Sequence, residues 1–139
     1  MIHSPSPTFN CVGPGSVGTG SIAGMRMLNF LKNKVQIWPF EEIIPFNKSV
    51  VVEIFPTFYF RLANVKPIKN LGYTIENINK ALDFFKSQPL SNDQEIKGPD
   101  QDDADSIISS AALRFFSDKD VVWEVPSESK KEGWIFGVQ

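Results

Sequence analysis

The sequence predicts an α/β fold, in which a mainly parallel sheet is flanked by helices. Strand-like and helix-like segments alternate along the chain. The run VVVEIF at residues 50–55 is typical of a parallel strand that is buried on both faces. Residues 75–87 and 102–117 each repeat apolar side chains at the spacing of an amphipathic helix. The length of 139 residues, with 42% apolar residues and twelve Phe, predicts one domain with a substantial core.

The N-terminal third is expected to begin with an irregular tail over residues 1–7, which hold two Pro and two Ser. Residues 8–12 form a weak strand candidate, and the glycine-rich stretch 13–21 is expected to be a turn. A helix is predicted over residues 22–32, because apolar side chains recur there at helical spacing. These side chains are Ile22, Met25, Leu28 and Leu31, with Met27 and Phe30 beside them. Residues 35–40 predict a short strand that ends at a sheet edge, since a proline there lacks an N–H.

The middle of the chain is predicted to place a loop over residues 41–49 before the strong strand at 50–55. A short helix is expected over residues 57–63, with Pro56 in its first turn. Thr74 is a suitable N-cap for the helix at 75–87. The apolar stripe of that helix comprises Ile75, Ile78, Leu82 and Phe85.

The C-terminal third is predicted to open with a polar loop over residues 88–101, before the helix at 102–117. The apolar set of that helix is Ala104, Ile107, Ile108, Ala111, Ala112, Phe115 and Phe116. Residues 126–132 are expected to form a charged turn, and residues 134–138 a closing strand.

Composition excludes several classes of protein. A net charge of −2 argues against a chain that binds nucleic acid by charge alone. One cysteine, Cys11, and one histidine, His3, cannot supply the usual zinc ligand sets or a disulfide. The sequence has no apolar run of the about 18 residues that a membrane helix needs, and its start does not resemble a signal peptide. A single cysteine fits a reducing compartment, so a cytoplasmic location is expected.

The glycine-rich stretch contains a G-x-G-x-x-G pattern at Gly13, Gly15 and Gly18. A dinucleotide site would need an apolar strand before it and an acidic residue about 20 residues later, a position that Glu41 approximates. The preceding strand candidate contains polar residues, however, and Pro14 removes an N–H from the phosphate cradle. A plain turn before a helix is a second interpretation.

A third interpretation is a loop that binds an anion or substrate at the start of a helix. Free N–H groups and nearby hydroxyls would supply the hydrogen bonds. The residues of this loop are Ser16, Thr19, Gly20 and Ser21.

Three carboxylates are candidates for chemistry. Glu53 interrupts the apolar run near the end of the strongest strand, where it either faces solvent or lines a ligand site. Asp102 and Asp105 share one face of the predicted helix. Simple helix capping accounts for them well, and a divalent-metal site is the alternative, because Mg²⁺ and Mn²⁺ prefer hard oxygen ligands.

The segments FNCVGPGSVGTGSIAGMRMLNFL, VQIWPFE, VVVEIFPTFYF, DDADSIISSAALRFF and EGWIFGV occur in this order. Together they resemble the family called domain of unknown function 429, from about Pro7 to Val138. The resemblance implies a ribonuclease H-like fold and a predicted nuclease activity, with the glycine-rich turn leading into a helix of that fold. It implies that Glu53, Asp102 and Asp105 are catalytic ligands of Mg²⁺ or Mn²⁺. Ser106 stands where the family more often has Ala.

The family carries its first catalytic Asp on antiparallel hairpin strands that precede the matching block. The chain is therefore expected to be a truncated single domain that lacks these strands and has an open sheet edge. The expected function is metal-dependent cleavage of nucleic acid or another phosphoester. The alternative is a non-catalytic binding or structural module that pairs with a copy or another partner through that edge.

Overall fold

A computed structural model of the chain describes residues 17–45, 47–69, 71–93 and 102–139. The chain divides into two compact units, Met1–Val51 and Val52–Gln139. Both contain helix, and the first contains a small parallel sheet, so the chain is a mixed α/β protein at this coarse level. The prediction of a single domain is left untested.

The first unit contains helix α1 (Val17–Leu31) and strands β1 (Gln36–Ile37) and β2 (Val50–Val51). The strands are parallel, with Gln36 opposite Val50 and Ile37 opposite Val51. The buried side chain of Gln36 stabilises the connection between the two strands. Its amide nitrogen donates to the carbonyls of Ile44 and Lys48 at 3.1 and 3.2 Å, and its amide oxygen accepts from the N–H of Ile44 at 2.6 Å.

The second unit has a helical core. Its helices are α2 (Pro56–Leu62), α3 (Ile75–Phe84), α4 (Asp102–Ser117), α5 (Asp120–Trp123) and α6 (Ser129–Glu132). Helix α4 packs against α2, α3 and α5. The rings of Tyr59, Phe85 and Phe116 meet in the centre, with centroids 5.9 to 6.3 Å apart, which is a favourable range for aromatic pairs.

The C-terminal segment is held against the start of this unit by hydrogen bonds to backbone carbonyls. Glu53 and Ile135 form a single parallel bridge, in which the N–H of Phe136 donates to the carbonyl of Glu53 at 2.9 Å. The hydroxyl of Tyr59 donates to the carbonyl of Phe136 at 2.8 Å. Burial raises the pKa of Tyr59 to about 12, so this hydroxyl stays protonated as a donor at neutral pH.

Three predicted helices are confirmed. Helix α4 has the predicted bounds, α2 begins at Pro56, and α3 begins after Thr74. The Thr74 hydroxyl accepts a hydrogen bond from the N–H of Asn77 at 3.3 Å, as expected of an N-cap. Helix α3 ends at Phe84, three residues earlier than predicted, and Lys86 beyond it has a positive φ of 51°.

The predicted strands are shorter than expected. The strand at 35–40 is reduced to β1, and the strand at 50–55 is reduced to β2. The expected burial of 50–55 on both faces was wrong, since β2 is half-buried and Glu53, Ile54 and Phe55 are exposed. A run of β-branched residues favours extended backbone, but a strand forms only where a partner strand lies alongside.

The C-terminal predictions are also corrected. The closing strand at 134–138 is a single bridge at Ile135, and the charged turn at 126–132 contains the short helix α6. Trp134 instead bonds within its own segment, since its indole N–H donates to the carbonyl of Val138 at 2.9 Å.

The glycine-rich stretch is partly helical, which corrects the predicted turn over residues 13–21. Helix α1 begins at Val17, so Gly18 and Gly20 lie within it, where each glycine costs about 0.5–1 kcal/mol relative to alanine. The apolar stripe predicted for this helix is not buried, since Ile22 and Met25 are exposed while Leu28 and Leu31 are half-buried. The weak strand at 8–12 and the tail at 1–7 lie outside the described residues.

Gly137→Ala is expected to destabilise the chain by about 2–4 kcal/mol. Gly137 has a φ of 89°, and an added Cβ would lie 2.8 Å from two carbons of the buried Phe116 ring. The free energy of unfolding, measured by urea titration, checks this. Gly24→Ala is the control, because its Cβ would meet open space within α1, and a gain of about 0.5–1 kcal/mol is expected. Equal stability of Gly137→Ala and the parent chain would contradict the argument.

Candidate functional site

Asp102 and Asp105 are brought together at the start of α4. Asp102 is exposed and Asp105 is half-buried. Burial raises the pKa of the Asp105 carboxyl, and the negative charge of Asp102 raises it further. The two carboxylates therefore repel one another across one helical turn, and a cation between them would relieve that repulsion.

Tyr73 is affected by the charges of both Asp105 and Arg61. The Tyr73 ring stacks on the ring of buried Phe60, with centroids 3.7 Å apart and planes inclined by 11°. Burial raises the pKa of the Tyr73 phenol, the Asp105 charge also raises it, and the Arg61 guanidinium lowers it. Sequence reasoning missed Tyr73 and Arg61, since no spacing connects them with α4. The sequence held one weak indication of Tyr73, which is its position immediately before Thr74, the N-cap of α3.

Glu53 is not part of the same cluster. Its side chain is exposed, and its backbone carbonyl receives the N–H of Phe136. Within the described residues, no group of three or more His, Cys, Asp or Glu side chains is close enough together to hold a metal ion. The structure thus brings together two of the three predicted ligands, and the role of Glu53 stays a prediction.

Most of the predicted anion loop lies in helix α1, and the remainder lies outside the described residues. Thr19, Gly20 and Ser21 lie in α1, which corrects their placement in a loop. Ser16 lies outside the described residues, as do the first two glycines of the G-x-G-x-x-G pattern. The first N–H groups of α1 have no partner within their own helix, as in any helix, so anion binding there stays a prediction.

Glu41, the acidic residue considered for a dinucleotide site, is hydrogen-bonded to the backbone of Ile37. Its carboxylate accepts a hydrogen bond from the N–H of Ile37 at 3.3 Å, and its own N–H donates to the carbonyl of Ile37 at 3.0 Å. These bonds occupy the Ile37 backbone groups that are not used in the β1–β2 pair. The carboxylate thus contacts its own strand.

Ser109 is a buried polar side chain on the face of α4 that carries the acidic pair. Only 4% of the residue is exposed, and its hydroxyl oxygen has no hydrogen-bond partner within the described part of the chain. The adjacent Ser110 differs, because its exposed hydroxyl donates to the carbonyl of Ser106 at 2.8 Å. Buried polar atoms are nearly always paired, so the Ser109 hydroxyl calls for an explanation.

A shallow groove of about 450 Å³ lies on a different side of α4. Leu82, Leu90, Ile107 and Ala111 supply much of its apolar lining, and Arg114 lies at its margin. The guanidinium of Arg114 donates to the carbonyls of Phe85 and Lys86 at 2.7 Å each, and so caps the C-terminal end of α3. None of the carboxylates predicted from the sequence lines this groove.

No protein-family model matches the chain, and no curated protein or solved structure is significantly similar to it. Among the described helices, none is both long and apolar enough to cross a membrane.

Asp105→Asn is expected to change how stability depends on pH. Because folding raises the pKa of Asp105, the folded chain binds this proton more tightly than the unfolded chain. Stability should therefore fall as pH rises from 3.8, the ordinary value for Asp, through the raised pKa in the folded chain. Urea unfolding at a series of pH values checks this fall, which the Asn variant should lack.

Asp103→Asn is the matched control, since it removes one negative charge from the same turn of α4. It is expected to retain the fall in stability. An Asp105→Asn variant with the same pH dependence as the parent chain would contradict the assignment.

Proposed function

We propose that the chain is a ribonuclease H-like, nuclease-related domain that binds Mg²⁺ or Mn²⁺ through Asp102 and Asp105. The observation that carries this proposal is the acidic pair itself, in which one half-buried carboxylate is held one turn from a second negative charge. Such a pair suits a divalent cation, which takes one or two carboxylates together with water or phosphate oxygens. The resemblance to domain of unknown function 429 supports the same assignment.

The substrate class is proposed to be a phosphoester, either nucleic acid or a smaller molecule. A divalent cation supplies charge neutralisation for the phosphate oxygens of such a substrate. Asp102 and Asp105 would hold the cation in place. The proposed compartment is the cytoplasm.

Cation binding and hydrolysis are separate parts of this proposal. Phosphodiester cleavage by two ions needs more carboxylates than one pair, held together in advance. Glu53 is proposed as a third ligand in a complete catalytic arrangement, together with the first Asp that the family resemblance implies. We expect the chain to bind the cation, and hydrolysis of a phosphoester to require that bound cation.

Asp105→Asn and Asp102→Asn are each expected to weaken Mn²⁺ binding about tenfold or more, since each removes one of two charged ligands. Isothermal titration calorimetry with MnCl₂ at constant ionic strength measures this. Asp103→Asn is the control, and it should retain the affinity of the parent chain. Unchanged affinity in Asp105→Asn, or no heat of binding in the parent chain, would overturn the proposed site.

Activity is tested separately, on the full chain, with single-stranded and double-stranded DNA and RNA and a chromogenic phosphodiester. Cleavage that needs Mn²⁺ and is lost in Asp105→Asn supports the nuclease assignment. Cleavage that survives Asp105→Asn unchanged rules it out.

The second candidate function is a non-catalytic association module, which the surface of α1 favours. Met27 and Phe30 are 58% and 69% exposed and lie on one side of this helix, and Lys34 is positioned 4.0 Å from the centroid of the Phe30 ring. Residues 17–40 carry three cations and no carboxylate, whereas residues 52–139 carry more carboxylates than cations. This complementarity favours a second copy as the partner, with α1 of one copy against the acidic unit of the other.

Phe30→Ser is expected to abolish this self-association, because it removes the largest exposed apolar side chain of α1. Sedimentation velocity over a range of concentrations measures the effect, and association of the parent chain should weaken as salt is added. Val121→Ser, at an exposed apolar residue of α5, is the control. A parent chain that stays monomeric at every concentration would exclude the module in this form.

A further inference from the structure

Ser109 and the acidic pair occupy one face of α4. Residues three and four apart lie above one another on a helix, so Ser109 follows Asp105 by one turn, as Asp105 follows Asp102. The Cα–Cβ bonds of a helix tilt toward its N-terminus, so the Ser109 side chain leans over the turn that carries Asp105. A hydroxyl that has no partner among the described residues, on a residue only 4% exposed, thus lies one turn beyond the half-buried Asp105 on the same face of α4.

The neighbouring Ser110 shows that a serine hydroxyl in this helix can form a hydrogen bond, so the helical backbone alone does not account for the Ser109 hydroxyl. Ser110 satisfies its hydroxyl with the carbonyl of Ser106, one turn back, which is the usual bond for a serine inside a helix. Ser109 makes no such bond among the described residues, although it is much more deeply buried. An unpaired hydroxyl is disfavoured in a buried position, so the side chain is better accounted for by a partner that it gains in another state of the site.

We infer that Ser109 is a positioning residue of the cation site, and that its hydroxyl donates a hydrogen bond to the Asp105 carboxylate when a divalent cation is bound. This inference rests on the site proposed above. A carboxylate that binds a metal through one oxygen commonly accepts a hydrogen bond on the other, which fixes its orientation. Ser109 is the hydroxyl placed to do this from the buried side, while the exposed side of Asp105 is left for the cation.

The test compares Mn²⁺ binding by the full chain and by Ser109→Ala, using calorimetry and the metal-induced rise in melting temperature. Ser109→Ala is expected to raise the dissociation constant about tenfold, the lower end of the range for partners of metal ligands. Without metal, the same variant should melt no lower than the parent chain, because it removes an unpaired buried hydroxyl. Ser109→Thr retains the hydroxyl and is expected to restore tight binding, whereas Ser110→Ala should leave binding unchanged.

Each contrary outcome has a distinct meaning. If the parent chain and Ser109→Ala bind Mn²⁺ equally well, the inference is overturned while the cation site stands. A lower metal-free melting temperature for Ser109→Ala, with unchanged affinity, would also overturn it, because the hydroxyl would then serve the helix as Ser110 does. If the parent chain binds no Mn²⁺, the cation site itself fails and the inference falls with it.

Discussion

The packing of α4 against α2 and α3 is the interaction on which the second unit depends. Small side chains make this packing close, since Ala104, Ala111 and Ala112 are buried along the helix and let neighbouring backbones approach. Larger side chains then fill the space beside them, with Ile108 and Phe116 buried on the same helix. Burial of apolar surface of this kind is the dominant favourable contribution to folding. Asp102, Asp105 and Ser109, the residues proposed for the cation site, all lie on α4.

The same packing explains why the acidic pair has unusual electrostatics. A helix that begins with several aspartates is stabilised by its dipole, and such a start ordinarily lies in water. Here Asp105 is drawn partly out of water, because Ala104 next to it is fully buried. A carboxylate that loses hydration beside a second negative charge is held in a less favourable charged state. That combination of helix geometry and burial is the physical basis of the proposed cation site, and it also places the Ser109 hydroxyl beneath it.

The helices of the second unit could be predicted well from the sequence, and the sheet could not. Helix α4 has its predicted bounds, because its apolar spacing, its acidic start and its length all favour the same structure. The run at 50–55 has strong β preference, yet only Val50 and Val51 form a strand. Strand formation depends on a partner elsewhere in the chain, which no local pattern specifies. The exposure of the apolar side chains of α1 has a related cause, since apolar spacing identifies a helix but does not supply the surface that covers it.

The sequence by itself determined the three longer helices of the second unit, α2, α3 and α4, and which residue types could hold a divalent cation. It placed Asp102 and Asp105 on one face, because helix periodicity is a local property. Only the tertiary structure decided that Asp105 is half-buried, that its charge reaches Tyr73, and that Glu53 lies outside any three-ligand group of the described residues. These facts depend on contacts between residues tens of positions apart. Such contacts follow from how the helices pack, which the order of residues within one segment does not reveal.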